Sequence, residues 1–145
     1  VMSLSNVFGI AGSAMNAQTI RLNTTASNMA NAESVSSSVD ETYRARKPVF
    51  AVQQADPLAD PQSSFGPEAG QGVQVLGIVE SKADLRQEYN PSHPMADEKG
   101  FVYYPNVNVV EEMADMISAS RSFQINTEIL NTAKQMLQQT IRLGQ

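Results

Sequence analysis

Few side chains in this 145-residue sequence could carry out catalysis. His93 is the only histidine, and it lies between Pro91 and Pro94 in a segment that predicts a tight turn. A metal site there would need carboxylates such as Asp97 and Glu98, because the chain has no cysteine. A lone histidine between prolines is more often a turn residue than a ligand. We therefore predict no metal, no cofactor and no catalytic residue.

The adjacent carboxylates Asp97 and Glu98 are the strongest candidates for acid–base chemistry. Glycoside cleavage needs two carboxyl groups that face each other across a cleft, roughly 5 to 9.5 Å apart, whereas neighbours in a loop normally point into water. The sequence contains no phosphate-binding loop, dinucleotide fingerprint, nucleophile elbow or zinc-binding helix. A hydrolase is therefore the least favoured hypothesis, and we predict that the protein is not an enzyme.

Charge is distributed unevenly along the chain. Residues 1–32 carry a single charged side chain, Arg21, and acids and bases nearly balance in residues 106–145. The middle, residues 33–105, carries the whole net charge of −5. This acidic balance disfavours nucleic acid as a partner, and no apolar run reaches the roughly 18 residues that suggest a membrane span. The start of the chain also lacks the features of a cleaved secretory signal.

The N-terminal segment predicts a long helix from Leu4 to Ala30, with Asn31 as a left-handed cap. No proline interrupts it, and one row of positions recurs in steps of four and three, as in a coiled coil. The row consists of Leu4, Phe8, Ala11, Met15, Gln18, Leu22, Thr25 and Met29.

The C-terminal segment predicts a second long helix. Asn108 followed three residues later by Glu111 resembles a capping box, and Gly144 is a stop signal. The heptad row here consists of Val109, Met113, Met116, Ser120, Phe123, Thr127, Leu130, Lys134, Leu137 and Ile141. The two helices predict an antiparallel coiled-coil pair with an insert between them.

The remaining surface of the first helix decides between a self-contained hairpin and a subunit of a larger bundle. It carries small, uncharged, hydrogen-bonding residues where a solvated helix would carry Glu and Lys. Such a helix is better suited to burial among other helices. The predicted subunit or helix interface is therefore the apolar part of both rows: Leu4, Phe8, Ala11, Met15, Leu22, Met29, Val109, Met113, Met116, Phe123, Leu130, Leu137 and Ile141.

The middle of the chain predicts a small β-rich insert. Its candidate strands are Thr42 to Gln53, Val73 to Val79, Asp84 to Tyr89 and Phe101 to Tyr104. Pro48 confines the first of them to a sheet edge or a strand start, and the Pro- and Gly-rich residues 55–72 predict a flexible loop. The fold class is therefore mainly α with a small β insert (α+β). The predicted segments are 1–33, 34–105 and 106–145.

Several motifs resemble those of flagellar basal-body rod proteins. The run Pro105-Asn106-Val107-Asn108-Val109-Val110-Glu111-Glu112-Met113, followed by Ser118-Ala119-Ser120-Arg121-Ser122-Phe123, closely resembles the C-terminal signature of that family. Leu22-Asn23 and Asn28-Met29-Ala30-Asn31-Ala32 resemble its N-terminal signature. The stretch from Tyr89 to Asp97, continuing through Gly100 to Pro105, is similar to the proximal-rod member. Phe123-Gln124-Ile125-Asn126 departs from the family's usual Tyr-Glu-Ala-Asn.

The resemblance implies a non-enzymatic axial protein of the periplasmic rod. Such proteins are exported by the flagellar type III apparatus without a cleavable signal, and they assemble helically with copies of themselves and neighbouring rod proteins. The resulting tube transmits torque. Its terminal helices surround the export channel and the insert faces outward, with no nucleic acid bound and no direct membrane insertion. The alternative is a soluble helical-hairpin binding module or secretion adaptor.

Overall fold

A computed structural model describes residues 4–53 and 72–144, and it places a long helix at each end of the described chain. Helix α1 spans Leu4–Asn31 and helix α2 spans Val109–Leu143. Four short strands lie between them: β1 (Arg46–Val52), β2 (Val73–Glu80), β3 (Arg86–Tyr89) and β4 (Phe101–Tyr104). The predicted combination of terminal helices and a small β portion is confirmed.

The strands form two separate two-stranded sheets, β1–β2 and β3–β4. In the second sheet the strands are antiparallel, with Arg86 opposite Tyr104 and Tyr89 opposite Phe101. Ser36 adds a short antiparallel bridge to β4 by exchanging backbone hydrogen bonds with Tyr103. Because the β1–β2 sheet has only two strands, β1 is an edge strand, and Pro48 within it is tolerated as predicted.

The β1–β2 ribbon is closed at both ends by backbone hydrogen bonds. The Gln53 N–H donates to the Gly72 carbonyl at 2.9 Å, and the Ser81 N–H donates to the Ala45 carbonyl at 2.7 Å. The strands therefore run in opposite directions. Apart from Gly72, the loop predicted at 55–72 lies outside the described residues.

The helix ends confirm one predicted cap and correct another. Asn108 caps α2, since its Oδ1 accepts the Val110 N–H at 3.1 Å and its carbonyl accepts the Glu112 N–H. The left-handed cap at Asn31 is wrong, because no described residue other than glycine has a positive φ. The Asn31 side chain instead donates to the Ser27 carbonyl at 2.8 Å. A side chain that can satisfy the last carbonyls itself needs no left-handed turn.

The described residues divide into two compact units. The first is drawn from residues 4–20, 49–53, 72–77 and 119–144, and the second from residues 21–48 and 78–118. Each unit contains parts of both helices and therefore includes residues from all three predicted segments. The boundaries of those segments stay predictions.

Small side chains dominate the buried interior of both units. Ala11, Ala17, Ala119 and Ala133 are buried in the first unit. In the second, the two largest side chains that are fully buried are Val102 and Asn28, each 1% exposed. Because alanine contributes little apolar area, hydrophobic burial within one chain is modest.

In the first unit, α1 holds the start of β2. The Ser13 hydroxyl accepts the Val73 N–H at 3.0 Å and donates to the Ile10 carbonyl at 2.8 Å. Gly72 has a φ of 131°, and a Cβ there would overlap the Ser13 hydroxyl. Glycine is therefore required for this close approach.

In the second unit, the chain between β3 and β4 is organised by the carboxylate of Asp97. Its Oδ1 accepts the Phe101 N–H at 2.8 Å and the Lys99 N–H at 2.9 Å. The Tyr103 hydroxyl donates to its Oδ2 at 3.4 Å. These bonds, chiefly the one from Phe101, hold the pKa of Asp97 below its ordinary value of 3.8.

We predict that this turn loosens in acid. The pKa of Asp97 is lower in the folded chain than in the unfolded chain, so its stabilising effect is full above the unfolded value and is lost as the pH falls through the folded value. NMR titration should show the Asp97 carboxyl titrating below 3.8. In a separate measurement, the backbone N–H of Phe101 should exchange its hydrogen with solvent faster in Asp97→Asn than in Glu98→Gln, the matched control. Titration of Asp97 at or above its ordinary pKa would contradict this description.

Candidate assembly interface

The residues that could have carried out chemistry serve local structure instead. Both carboxylate oxygens of Asp97 accept hydrogen bonds within its own turn. His93 Nδ1 accepts the Met95 N–H at 3.1 Å, as expected of a turn residue. In residues 4–53 and 72–144, no group of three or more metal-binding side chains comes together, and neither helix there is long and apolar enough to cross a membrane.

A polar cleft of about 650 Å³ lies beside the end of α1. Its cations already have partners in the protein. The Arg46 guanidinium donates to the Glu80 carboxylate at 3.2 Å, and Arg44 donates to the Ser81 and Ala83 carbonyls. Such a cleft offers no free pair of positive charges to an anionic ligand.

The predicted interface residues of α1 occupy buried and half-buried positions. Ala11 is buried, and Phe8, Met15, Leu22 and Met29 are half-buried. The side chain of Leu4 lies outside the described part of the chain. Whether these residues contact a neighbouring subunit stays a prediction.

The predicted interface residues of α2 differ more widely in exposure. Met116, Phe123 and Leu130 are half-buried, while Val109, Met113, Leu137 and Ile141 are exposed. In the segment that departs from the family pattern, Phe123 is half-buried and Ile125 is exposed. A row of apolar residues open to solvent on one chain is the surface that a partner would cover.

The heptad rows contain only two of the most deeply buried helix positions, Ala11 and Thr25 on α1. They missed the others, which are Ala17, Thr24 and Asn28 on α1 and Glu112, Ala119 and Ala133 on α2. Small side chains permit the closest approach of a neighbouring backbone, so the tightest packing follows them and the larger apolar residues flank it. Seven-residue spacing from Glu112 to Ala119, repeated twice to Ala133, was the available signal.

One ion pair connects the two helices in the second unit. Arg21, the single charged residue among the first 32, donates to the Asp115 carboxylate at 2.6 Å. Both side chains are about one-third exposed, so solvent weakens the attraction. The pair helps to position the two helices within this unit, since it joins the later part of α1 to the early part of α2.

A second ion pair joins β1 to the start of α2. Lys47 Nζ donates to the Glu111 carboxylate at 3.1 Å, and this bond raises the pKa of Lys47. The predicted capping box expected Glu111 to bond back to Asn108, but its carboxylate accepts from Lys47 instead. Both side chains are more than half exposed, so the pair adds little stability.

Asn28 attaches the start of β1 to α1. Its Oδ1 accepts the Arg46 N–H and the Tyr43 hydroxyl, each at 2.9 Å. Its Nδ2 donates to the Arg46 carbonyl at 2.8 Å. The amide thus satisfies both backbone groups of Arg46 from within a fully buried position.

Asn106, which lies shortly before α2, binds Ala45, the residue before Arg46. Its Oδ1 accepts the Ala45 N–H at 2.8 Å, and its Nδ2 donates to the Ala83 carbonyl at 2.9 Å. Asn28 and Asn106 therefore hold two consecutive residues, Ala45 and Arg46. We call this pair of attachments the asparagine clamp.

We predict that Asn28→Ala lowers the free energy of unfolding by about 1–3 kcal/mol, because the part-buried N–H and carbonyl of Arg46 lose their partner. The matched control is Asn23→Ala, an exposed position on the same helix, which should change stability by less than about 0.5 kcal/mol. Urea unfolding followed by circular dichroism measures both. Equal stability of the two variants would show that the clamp contributes nothing.

Comparison with known proteins identifies both ends of the chain with one family. The family model described as "Flagella basal body rod protein" matches residues 8–35. The model described as "Flagellar basal body rod FlgEFG protein C-terminal" matches residues 98–143. These stretches contain Asn28 and Asn106 respectively.

Whole-chain relatives agree with the family models. Proteins named "Flagellar basal-body rod protein FlgC" from Escherichia coli O6:H1 and Yersinia enterocolitica are 48% and 49% identical to this chain, covering 99% of it and 100% of their own length. The protein of the same name from Borreliella burgdorferi is 34% identical over 99% of each chain. This chain therefore belongs to the FlgC family of flagellar basal-body rod proteins.

Proposed function

We propose that the chain is a structural subunit of the proximal rod in the flagellar basal body. It polymerises helically through its terminal helices, with other copies and with neighbouring rod proteins, around the channel used for export. The assembled rod crosses the periplasm and transmits torque. The subunit is not an enzyme, and it reaches the rod through the flagellar type III export apparatus.

The observation that carries this proposal is the apolar surface left open on α2. Val110, Met113, Ile117, Ile125, Ile129, Met136, Leu137, Ile141 and Leu143 are all exposed. A helix that functions alone in water keeps such residues on its covered side. Exposed Ile, Leu and Met side chains along the length of one helix instead favour burial by neighbouring subunits.

Antiparallel pairing of α1 and α2 is part of the proposal. The Arg21–Asp115 ion pair supports it in the second unit, since it links the later part of α1 to the early part of α2. The composition of the first unit supports it independently, because residues 4–20 cluster there with residues 119–144. A coiled coil of this kind gives each subunit a stiff two-helix stem.

The division of charge supports an outward-facing insert. Both helices together are neutral or nearly so, and the acidic excess lies between them. Like charges repel weakly when they are solvated and strongly when they are packed together. Stacked subunits therefore gain from placing the uncharged helices inside and the acidic insert at the periphery. The asparagine clamp would couple the insert to the stem, so that load applied to one reaches the other.

The competing reading, a soluble helical-hairpin binding module or secretion adaptor, fits α1 less well. Residues 4–20 contain no acidic or basic side chain at all. A hairpin that stays monomeric needs charged outer positions to remain solvated and unassociated. The same composition suits a helix that is surrounded by others.

We predict that Leu130→Asp prevents rod assembly. Leu130 is half-buried in one chain, and further burial in the rod would leave an unpaired carboxylate, which costs several kcal/mol. Asn131→Asp is the matched control, because it adds the same charge at an exposed neighbouring position. Each variant replaces the native protein in a motile host, where swimming, export and basal-body rods seen by electron microscopy are compared.

The proposal expects export of both variants but rods only with Asn131→Asp. If Leu130→Asp cells build rods and swim normally, the terminal helices are not the assembly surface. If purified Leu130→Asp keeps the same helical circular dichroism as the control while rods are absent, a folding defect is excluded as the cause.

A further inference from the structure

An exposed apolar ridge runs along the last turns of α2. It consists of Ile125, Ile129, Met136 and Leu143, which are 56%, 42%, 55% and 89% exposed. Steps of four, seven and seven residues keep these side chains within about 40° of one another around the helix. No acidic or basic residue belongs to this row. A surface that covers this ridge without leaving a charge unpaired is therefore itself uncharged.

The same unit presents a different kind of surface on α1. Gly9, Gly12, Asn16 and Thr19 are exposed and follow one another in steps of three and four, so they share one face of the helix. We call it the glycine face. Its residues have small or absent side chains and no charge. The glycine face is therefore shallow, whereas the ridge consists of protruding side chains.

The described residues give no reason for the two glycines. Gly9 and Gly12 lie inside α1 without the positive φ that would demand glycine. A Cβ added at either position would meet no heavy atom of the described residues within 4 Å. Glycine weakens a helix relative to alanine, and close approach of another backbone is one use that offsets this cost.

The ridge and the glycine face fit each other in shape and in charge. Large side chains of one helix pack best into the gaps between small side chains of another. Residues 4–20 contain no charged group that the ridge would have to desolvate. Both surfaces are exposed in the part of one chain that the structure describes, and another molecule that carries the complementary surface could cover each. A second copy carries both.

We propose that the α2 ridge of one copy packs against the α1 glycine face of the next copy. This inference rests on the proposed function, since it takes the chain to polymerise, and it names the two surfaces that meet. The surfaces are different, so the contact is heterologous and leaves one of each free at the ends. Such contacts continue from subunit to subunit, as a helical rod requires.

Cysteine cross-linking tests the proposal, because the chain has no cysteine of its own. Asn16→Cys is combined in turn with Ile125→Cys, Ile129→Cys and Met136→Cys, and isolated basal bodies are oxidised mildly. A disulfide forms only when the two Cα atoms lie within about 7 Å. The matched controls combine Asn16→Cys with Asn131→Cys or Lys134→Cys, exposed positions more than about 100° away from the ridge.

The proposal expects covalent dimers and larger oligomers of this chain from at least one ridge combination, and none from the controls. Rods that assemble but yield no oligomers from any ridge combination would overturn it, as would equal oligomers from the controls. If a different rod protein covers the ridge, rods assemble but no ridge combination yields oligomers, and this result overturns the proposal. Failure of the proposed function looks different, since rods would then assemble in the Leu130→Asp strain.

Substitution of Gly12 provides a second test that does not depend on cysteine. Gly12→Ala should leave the purified chain at least as helical and as heat-resistant as the wild type. In cells it should reduce the number of rods, and Gly12→Leu should reduce it by about tenfold or more, as expected of overpacking at a close contact. Asn131→Leu, outside both surfaces, should leave rod number unchanged. Normal rod numbers with Gly12→Leu would overturn the proposal.

Discussion

The amide of Asn28 is the interaction on which the organisation of the second unit depends. It binds the N–H and the carbonyl of Arg46 and the hydroxyl of Tyr43 from a position that is almost completely buried. Asn106 holds the preceding residue, Ala45, through its N–H. Because few large apolar side chains are buried in this chain, these polar attachments fix where the insert leaves the helices. These bonds are part-buried, which limits competition from water for the same groups.

A thin core and an open apolar surface are consistent with a subunit that completes its packing in a polymer. Within one chain the buried helix positions are mostly Ala, Thr and Asn, while many Ile, Leu and Met side chains of α2 are exposed. In the proposed function, the free energy that a monomeric domain gains from its own core comes instead from contacts between copies. The insert carries the net negative charge of the chain, and its strand β2 also leaves Leu76, Ile78 and Val79 exposed.

The structural features that the sequence predicts correctly are those that depend on nearby residues. The start of α1 at Leu4, the cap at Asn108 and the strand from Phe101 to Tyr104 all follow from propensity, capping chemistry or alternation. Strand β1 begins at Arg46 and not at Thr42, and the N–H of Ala45, the residue before it, donates to the Asn106 side chain. That partner is 61 residues away in sequence. No local pattern contains such information.

The positions of deepest burial were harder to predict for the same reason. Apolar periodicity places the largest residues at the centre of a seam, whereas this structure buries Ala119 and Ala133 more completely than Phe123 or Leu130. Close packing rewards small side chains only when a second backbone is present to approach them. The partner of Glu111 was missed in a similar way, since Lys47 reaches it from a different element.

An electron cryo-microscopy map of the rod built from this chain tests the central claim most directly. The account predicts that α1 and α2 form the inner layers, that Ile125 and Met136 are covered by neighbouring chains, and that β3 and β4 lie at the periphery. A map in which the insert lines the channel, or in which the ridge of α2 faces solvent in the assembled rod, would contradict it.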